Sequence, residues 1–160
     1  NVTLSNGRTY VPLRLVAEAL GNEVEWDPYL QGASVTSAHA DYDAEDLYWL
    51  SRIIYAESGN QPLDGKIAVG NVVLNRVASP RFPNSVYEVI FQRNQFPPAA
   101  NGSINRTPSA ESVVAAKLCL DGANTAGSAL YFVNPTVAPG SWASRNRPYV
   151  ATIGAHAFYG

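Results

Sequence analysis

Leu47-Tyr48-Trp49-Leu50-Ser51-Arg52-Ile53-Ile54-Tyr55-Ala56-Glu57-Ser58-Gly59 is the stretch on which the reading of this chain turns. Glu57 follows Ile54, Ile53 and Leu50 at the spacing that stacks side chains on one side of an α-helix. A helix is expected here, with Asp43 as its cap, Glu45 and Asp46 complementing its dipole, and Gly59 and Pro62 ending it. It would carry one carboxylate on an apolar face. An ionised carboxylate among Ile and Leu is unfavourable unless paired, so such a group keeps its proton to higher pH. A carboxyl still protonated near neutrality is a general acid. A Glu in the last turn of a helix can equally turn out to water, and the helix alone leaves both readings open.

Working outward, the pattern stays helical for about eighty residues from Asp43. A second helix over residues 63–77 places Ile67, Gly70, Val73, Leu74 and Val77 on one face, with Gly70 allowing another helix backbone to come close. Ser85 and Glu88 form a capping box ahead of Val86-Tyr87-Glu88-Val89-Ile90-Phe91. A further helix is expected from Thr107-Pro108, with Pro in the first position, to about Asp121 before Gly122. The character then changes. Ala129-Leu130-Tyr131-Phe132-Val133 reads as a buried strand closed by Asn134-Pro135, and residues 149–153 and 156–159 as a hairpin around Gly154. Helices followed by a small antiparallel sheet toward the C-terminus make the fold class α+β.

Upstream, residues 1–30 read as a short β/α/β piece: Thr9-Tyr10-Val11-Pro12-Leu13-Arg14, a helical pattern over residues 15–20 ended by Gly21, and an alternating strand Glu23-Val24-Glu25-Trp26 stopped by Asp27-Pro28. A piece this short buries little core alone, so it is expected to lie against the main domain or to pair with a second copy as a homodimer. Residues 31–42 are small and polar and read as a linker in which His39 is solvated. The main domain is then 43–160. Asn1 opens inside a patterned segment, so the chain is expected to continue upstream, and the lack of a leader does not argue against secretion.

Composition excludes several classes. Lys and Arg total 11 against 13 Asp and Glu, a net charge of −2, which gives no basic surface for nucleic acid and no polybasic membrane patch. No apolar run is long enough for a membrane span. The single cysteine, Cys119, cannot form an intrachain disulfide and sits in an apolar run as a small buried residue. Two His without HExxH or CxxC spacing make a zinc site improbable, and neither a metal nor a cofactor is expected. There is no GxSxG elbow and no GKS/GKT phosphate loop. What remains is carboxylate chemistry in a chain whose Tyr, Trp, Asn and Gln suit sugar recognition, although a Tyr-rich core accounts for the aromatics equally well.

Tyr55-Ala56-Glu57-Ser58-Gly59-Asn60-Gln61-Pro62, Gly65-Lys66-Ile67-Ala68-Val69-Gly70-Asn71-Val72-Val73-Leu74-Asn75-Arg76-Val77 and Ser79-Pro80-Arg81-Phe82-Pro83-Asn84-Ser85-Val86, in this order, resemble the SleB/CwlJ cell wall hydrolase family, whose members include spore cortex-lytic enzymes. The likeness continues through residues 89–91, Gln95-Phe96, residues 129–135, Trp142 and residues 153–159. Residues 1–30 resemble about half of the copper amine oxidase N-terminal-like, or stalk, domain. Copper chemistry is not expected of them, because no His or Cys precedes His39.

The resemblance implies a mainly helical, lysozyme-like or lytic-transglycosylase-like domain. It implies cleavage of peptidoglycan glycan strands between N-acetylmuramic acid, or its lactam, and N-acetylglucosamine, with Glu57 as the catalytic acid, in a secreted, cell wall or spore-associated bacterial protein. Many relatives carry a second acid shortly afterwards, as in Ala-Arg-Gly-Glu-Pro, where this chain has Gly59-Asn60-Gln61-Pro62. A hydrolase wants two carboxyls, for which Asp64 is the nearby candidate; a lytic transglycosylase manages with one, because the muramoyl 6-hydroxyl attacks intramolecularly. Gln95, Phe96, Tyr131, Asn134, Trp142 and His156 are the expected sugar-binding residues, by type and by family motif. Each also has a structural reading: Tyr131 as core, Asn134 as a turn residue, His156 as a core His or as a partner of Glu57. Asn75 and Arg76 on the second helix serve either substrate or structure. The alternatives are a muramidase-type hydrolase, a non-catalytic peptidoglycan-binding module, and an amidase or peptidase.

Overall fold

The chain divides into two units, residues 1–41 and 42–160; the structure, a computed structural model, describes residues 2–28, 32–37 and 42–160. The first unit opens with a hairpin, β1 (Thr3–Ser5) against β2 (Arg8–Tyr10). Its turn is Asn6-Gly7, both at positive φ (51° and 71°), the combination that matches the twist of a two-residue hairpin loop. Helix α1 (Leu13–Ala19) follows, then β3 (Asn22–Asp27) paired antiparallel with β4 (Gly32–Ser37), Val24 opposite Val35. Arg14 Nη1 donates to the Val24 carbonyl at 2.6 Å and ties α1 to β3. Among the described residues of this unit only Ala17 and Val24 are buried.

The linker expectation is therefore corrected over residues 32–37, which form a strand. Gly-Ala-Ser-Val-Thr-Ser holds a single large apolar side chain and carries no period to read; the backbone ladder to β3 makes it a strand. His39 lies outside the described residues.

In the second unit, α2 (Ala44–Ser58) is capped by Asp43, whose carboxylate accepts the N–H groups of Glu45 (2.7 Å) and Asp46 (3.4 Å). Helix α3 (Leu63–Ala78) is apolar on two sides and runs through the middle. One side joins Leu50, Ile53 and Ile54 of α2, α4 (Val86–Phe91) and α6 (Ala110–Leu120) in the main core. The other, Ala68, Val69 and Val72, meets Ala126, Ala129 and Phe158. Gly70 sits where the helices crowd: a Cβ there would lie 2.6 Å from Cys119 Sγ and 2.9 Å from Ile54 Cδ1. Its neighbours are thus side chains of α6 and α2, where a helix backbone was expected.

Between α4 and α6 the chain makes α5 (Pro97–Asn101) and a 3₁₀ turn (Ser103–Asn105). Ser109, accepting from Ser112 N–H at 3.2 Å, caps α6, so the helix begins after Pro108 and not at it. The sheet, in the order β5 (Tyr131–Val133), β7 (His156–Tyr159), β6 (Tyr149–Ile153), is antiparallel, with α7 (Trp142–Asn146) preceding β6. The expected hairpin is there, turning at Gly154 with φ 58°. The fold class is α+β, as the order of patterns indicated. Among the described residues no helix is long and apolar enough to cross a membrane.

One polar stripe of α3 positions the sheet. Asn71 donates to the Ala123 carbonyl (2.7 Å) and accepts the Thr125 N–H (2.9 Å), and Asn75 donates to the carbonyls of Gly127 and Ala129 (2.9 Å each). Arg76 Nε donates to the Leu130 carbonyl (2.8 Å). These bonds hold residues 123–130 along the helix and deliver the chain into β5. Asn75 and Arg76 thus both anchor the backbone that leads into β5.

Candidate active site

Glu57 occupies the last turn of α2 and opens onto two hollows. One, of about 250 Å³, is walled by Arg76, Gln95, Phe96, Phe132, Val133, Asn134 and His156, among others. The other, of about 450 Å³, is lined by Tyr55, Ala56, Gly59, Asn60, Ser103 and Arg106. Glu57 is the one carboxylate among the residues lining either. Its Oε1 is sealed from solvent with no hydrogen-bond partner among the described residues, and burial pushes its carboxyl up to about 7. The helix pattern offered an apolar setting or a turn out to water; the apolar setting prevails.

In the first hollow burial disfavours the charged form of His156 as well. His156, 7% exposed, stands edge-on to Phe132 with ring centroids 5.3 Å apart, and burial lowers its pKa. Its Nδ1 is buried without a hydrogen-bond partner among the described residues. Arg76 is the buried cation of this wall. Its Nη1 donates to Gln95 Oε1 at 3.1 Å and its guanidinium lies 5.1–5.4 Å from the rings of Phe82, Phe96 and Tyr131. Burial lowers it to about 10, so it stays charged at neutral pH.

Of the expected sugar-binding residues, Gln95, Phe96, Asn134 and His156 line the hollow with Glu57. Tyr131 and Trp142 do not line either hollow that holds Glu57. They meet edge to face, centroids 5.6 Å apart, with Arg147 over both rings. Strand alternation is the cause: Phe132 and Tyr131 leave β5 on opposite faces, and Phe132 takes the place expected of Tyr131. Asp64 is exposed in the first turn of α3 and lines neither hollow. Gln61, in the stretch where the family resemblance led to the expectation of a second acid, is turned to the β6–β7 loop, its Oε1 accepting the Ala155 N–H at 2.8 Å.

Arg106 and Ser103 were not expected. They open and close the short 3₁₀ turn after α5 and belong to no periodic pattern, so nothing in the chain marks them. Among the described residues no three His, Cys, Asp or Glu are grouped to hold a metal.

Residues 60–159 match the Cell Wall Hydrolase family. The chain belongs to that family. Residues 1–45 match the copper amine oxidase N-terminal domain. The cell wall hydrolase domain is similar to the spore cortex-lytic enzyme of Bacillus cereus, 36% identical over 82% of this chain and 49% of that protein. To the spore cortex-lytic enzyme of Bacillus subtilis it is 34% identical over 80% of this chain and 42% of that protein. The chain thus spans about half the length of the curated relatives it matches. Among solved structures, the catalytic domain of the germination-specific lytic transglycosylase SleB from Bacillus anthracis superimposes with a TM-score of 0.69 at 37% identity, covering 75% of this chain and 98% of that one. The catalytic domain of the Bacillus cereus SleB protein does so with the same score and identity over 74% and 92%. The fold of the cell wall hydrolase domain is therefore that of the SleB catalytic domain.

Proposed function

We propose that this domain degrades peptidoglycan as a lytic transglycosylase, cutting the glycan strand between N-acetylmuramic acid, or its lactam, and N-acetylglucosamine, with Glu57 as acid and then base. The observation that carries the reading is the solitary carboxylate. Glu57 lies between two hollows that could hold the sugars on either side of the bond, and no second carboxylate lines them. The protonated carboxyl donates to the glycosidic oxygen as the C1–O bond breaks. The resulting carboxylate takes the proton of the muramoyl 6-hydroxyl as O6 bonds to C1, which closes a 1,6-anhydro ring and regenerates the acid. Phe96 and Phe132 offer apolar surface for a sugar face, and Gln95, Asn134 and His156 offer polar groups for its substituents.

Two-carboxyl hydrolysis needs a second acid roughly 5–9.5 Å from the first. Asp64 and Gln61 do not supply one in the hollows. Mass spectrometry of muropeptides released from sacculi and from spore cortex tests the proposal: anhydro ends, lost in Glu57→Gln, are the expected products. Reducing ends would assign hydrolysis, free amino groups with intact strands would assign an amidase, and clearing undiminished in Glu57→Gln would remove the acid.

The names of the relatives support a spore-associated location outside the cytoplasm, checked by fractionating spores with an antibody to the domain. Pairing through the first unit is a separate proposal, supported by the exposed Leu4, Leu13, Leu15, Leu20 and Trp26 on it. Light scattering of the chain with and without residues 1–41 tests it.

A further inference from the structure

One side chain joins the turn after α2 to the turn between β6 and β7. Gln61 has its backbone held on two sides: its N–H donates to the Ser58 carbonyl at 2.8 Å, and its carbonyl accepts Lys66 Nζ. Lys66 is 2% exposed and is braced in turn by Glu111 of α6, with Nζ 2.6 Å from Oε2. From this fixed base the Gln61 amide reaches across to the sheet. Its Oε1 accepts the Ala155 N–H at 2.8 Å and its Nε2 donates to Asn60 Oδ1 at 2.9 Å. Gly154 leaves room for the contact, since a Cβ there would overlap Gln61 Oε1 and lie 3.2 Å from Pro62 Cδ.

The two bonds of the amide end on different walls of the site. Asn60 lines the hollow shared with Tyr55 and Ser103, while Ala155 precedes His156, which lines the hollow shared with Gln95 and Phe96. Ala155 lies in the turn outside the β6–β7 ladder, whose last pair is Ile153 with His156, so its N–H is not spent in the sheet. Glu57 is common to both hollows, and Gln61 lines neither. A strand occupying both hollows needs their walls fixed relative to the acid, because a displacement of about 1 Å can cost about 10²-fold in rate.

We propose that Gln61 is a positioning residue of this site: its amide holds the Asn60 wall and the His156 wall in fixed relation around Glu57 and touches no reacting group itself. This rests on the reading of the domain as a glycan-strand enzyme.

Two variants test it. Gln61→Met keeps the length of the side chain and removes both bonds, whereas Gln61→Glu keeps an acceptor for the Ala155 N–H. In Gln61→Met, kcat on peptidoglycan strands, taken per folded molecule, should fall about tenfold or more with KM within about twofold. The Ala155 N–H should exchange faster with solvent, and the imidazole resonances of His156, one of two His in the chain, should shift. Gln61→Glu should return all three toward the wild type. A loss of kcat with the Ala155 and His156 signals unmoved, a rise in KM with kcat unchanged, or a Gln61→Glu as slow as Gln61→Met overturns the proposal. So do reducing ends released by Gln61→Glu, since the new carboxylate would then be reaching the substrate. Should the wild type release no glycan fragments, the glycan-cleavage reading fails, and the Ala155 exchange and His156 resonances of the two variants still decide whether Gln61 holds the walls.

Discussion

The two hollows that share Glu57 are built in opposite ways. On the Arg76 side the cation is engaged within the protein: Arg76 spans the Leu130 carbonyl and Gln95, three aromatic rings surround it, and His156 is buried against Phe132 and Phe158 with its Nδ1 unpartnered among the described residues. On the Arg106 side the wall is the last turn of α2 with the turn residues after it and around Ser103, and Arg106 makes no hydrogen bond or ion pair among the described residues. An arginine held by the protein's own carbonyl, amide and rings supports the fold, while an exposed one without such partners contributes little to it, and one carboxyl stands between the two.

Glu57→Gln should produce the largest effect, because it removes the group common to both sides. Proton transfer contributes about 10²–10⁴ in rate, and a loss of that size in anhydro-muropeptide release is expected with the fold intact by circular dichroism. Next in size, Arg76→Ala leaves the Leu130 carbonyl and Gln95 without their donor and opens a cavity under three rings; a loss of about 3 kcal/mol in urea unfolding is expected. Arg106→Gln, on the exposed wall, should stay within about 0.5 kcal/mol in the same measurement. Equal losses for the two Arg variants would dissolve the distinction between the engaged arginine and the exposed one.

The pH dependence sharpens the same contrast. The folded pKa of Glu57, about 7, is above the unfolded value of 4.5, so the folded state binds the extra proton between those pH values. The stability penalty of burying the charge is absent below pH 4.5, grows as pH rises and is complete above 7. Glu57→Gln should therefore stabilise the domain by about 1–3 kcal/mol at pH 8 and leave it unchanged at pH 4, measured by thermal unfolding. Wild-type kcat should fall as pH rises through 7, since the acid form is lost. A modest effect is expected for Gly70→Ala, where the added carbon meets Cys119 and Ile54 and no residue lining either hollow: about 1–2 kcal/mol of stability with kcat retained.

How much of this was legible in the chain differs by element. The helix of Glu57 was, because its cap, its dipole-matching acids and its apolar stripe all agree at Asp43, Glu45, Asp46 and Leu50. So was the hairpin around Gly154, whose turn and alternation coincide. The strand at residues 32–37 was hidden, since small and polar side chains carry no period and the ladder to β3 alone defines it. For the site, residue type located Gln95, Phe96, Asn134 and His156, but not which face of β5 turns toward Glu57, so Tyr131 and Trp142 were expected where Phe132 stands. Arg106 was illegible for a different reason. A residue without partners leaves no pattern.

The crowding at Gly70 has a practical consequence. It closes over the domain's single thiol, which is 3% exposed, donates to the Ile67 carbonyl at 3.3 Å and is raised to about 12 by burial, so the nucleophilic thiolate is all but absent while the core is shut. Its reaction with a thiol reagent then proceeds only through openings of the helical core. The rate of that labelling is a stability gauge native to the sequence, one that can be read in a turbid suspension of walls where optical unfolding measurements fail.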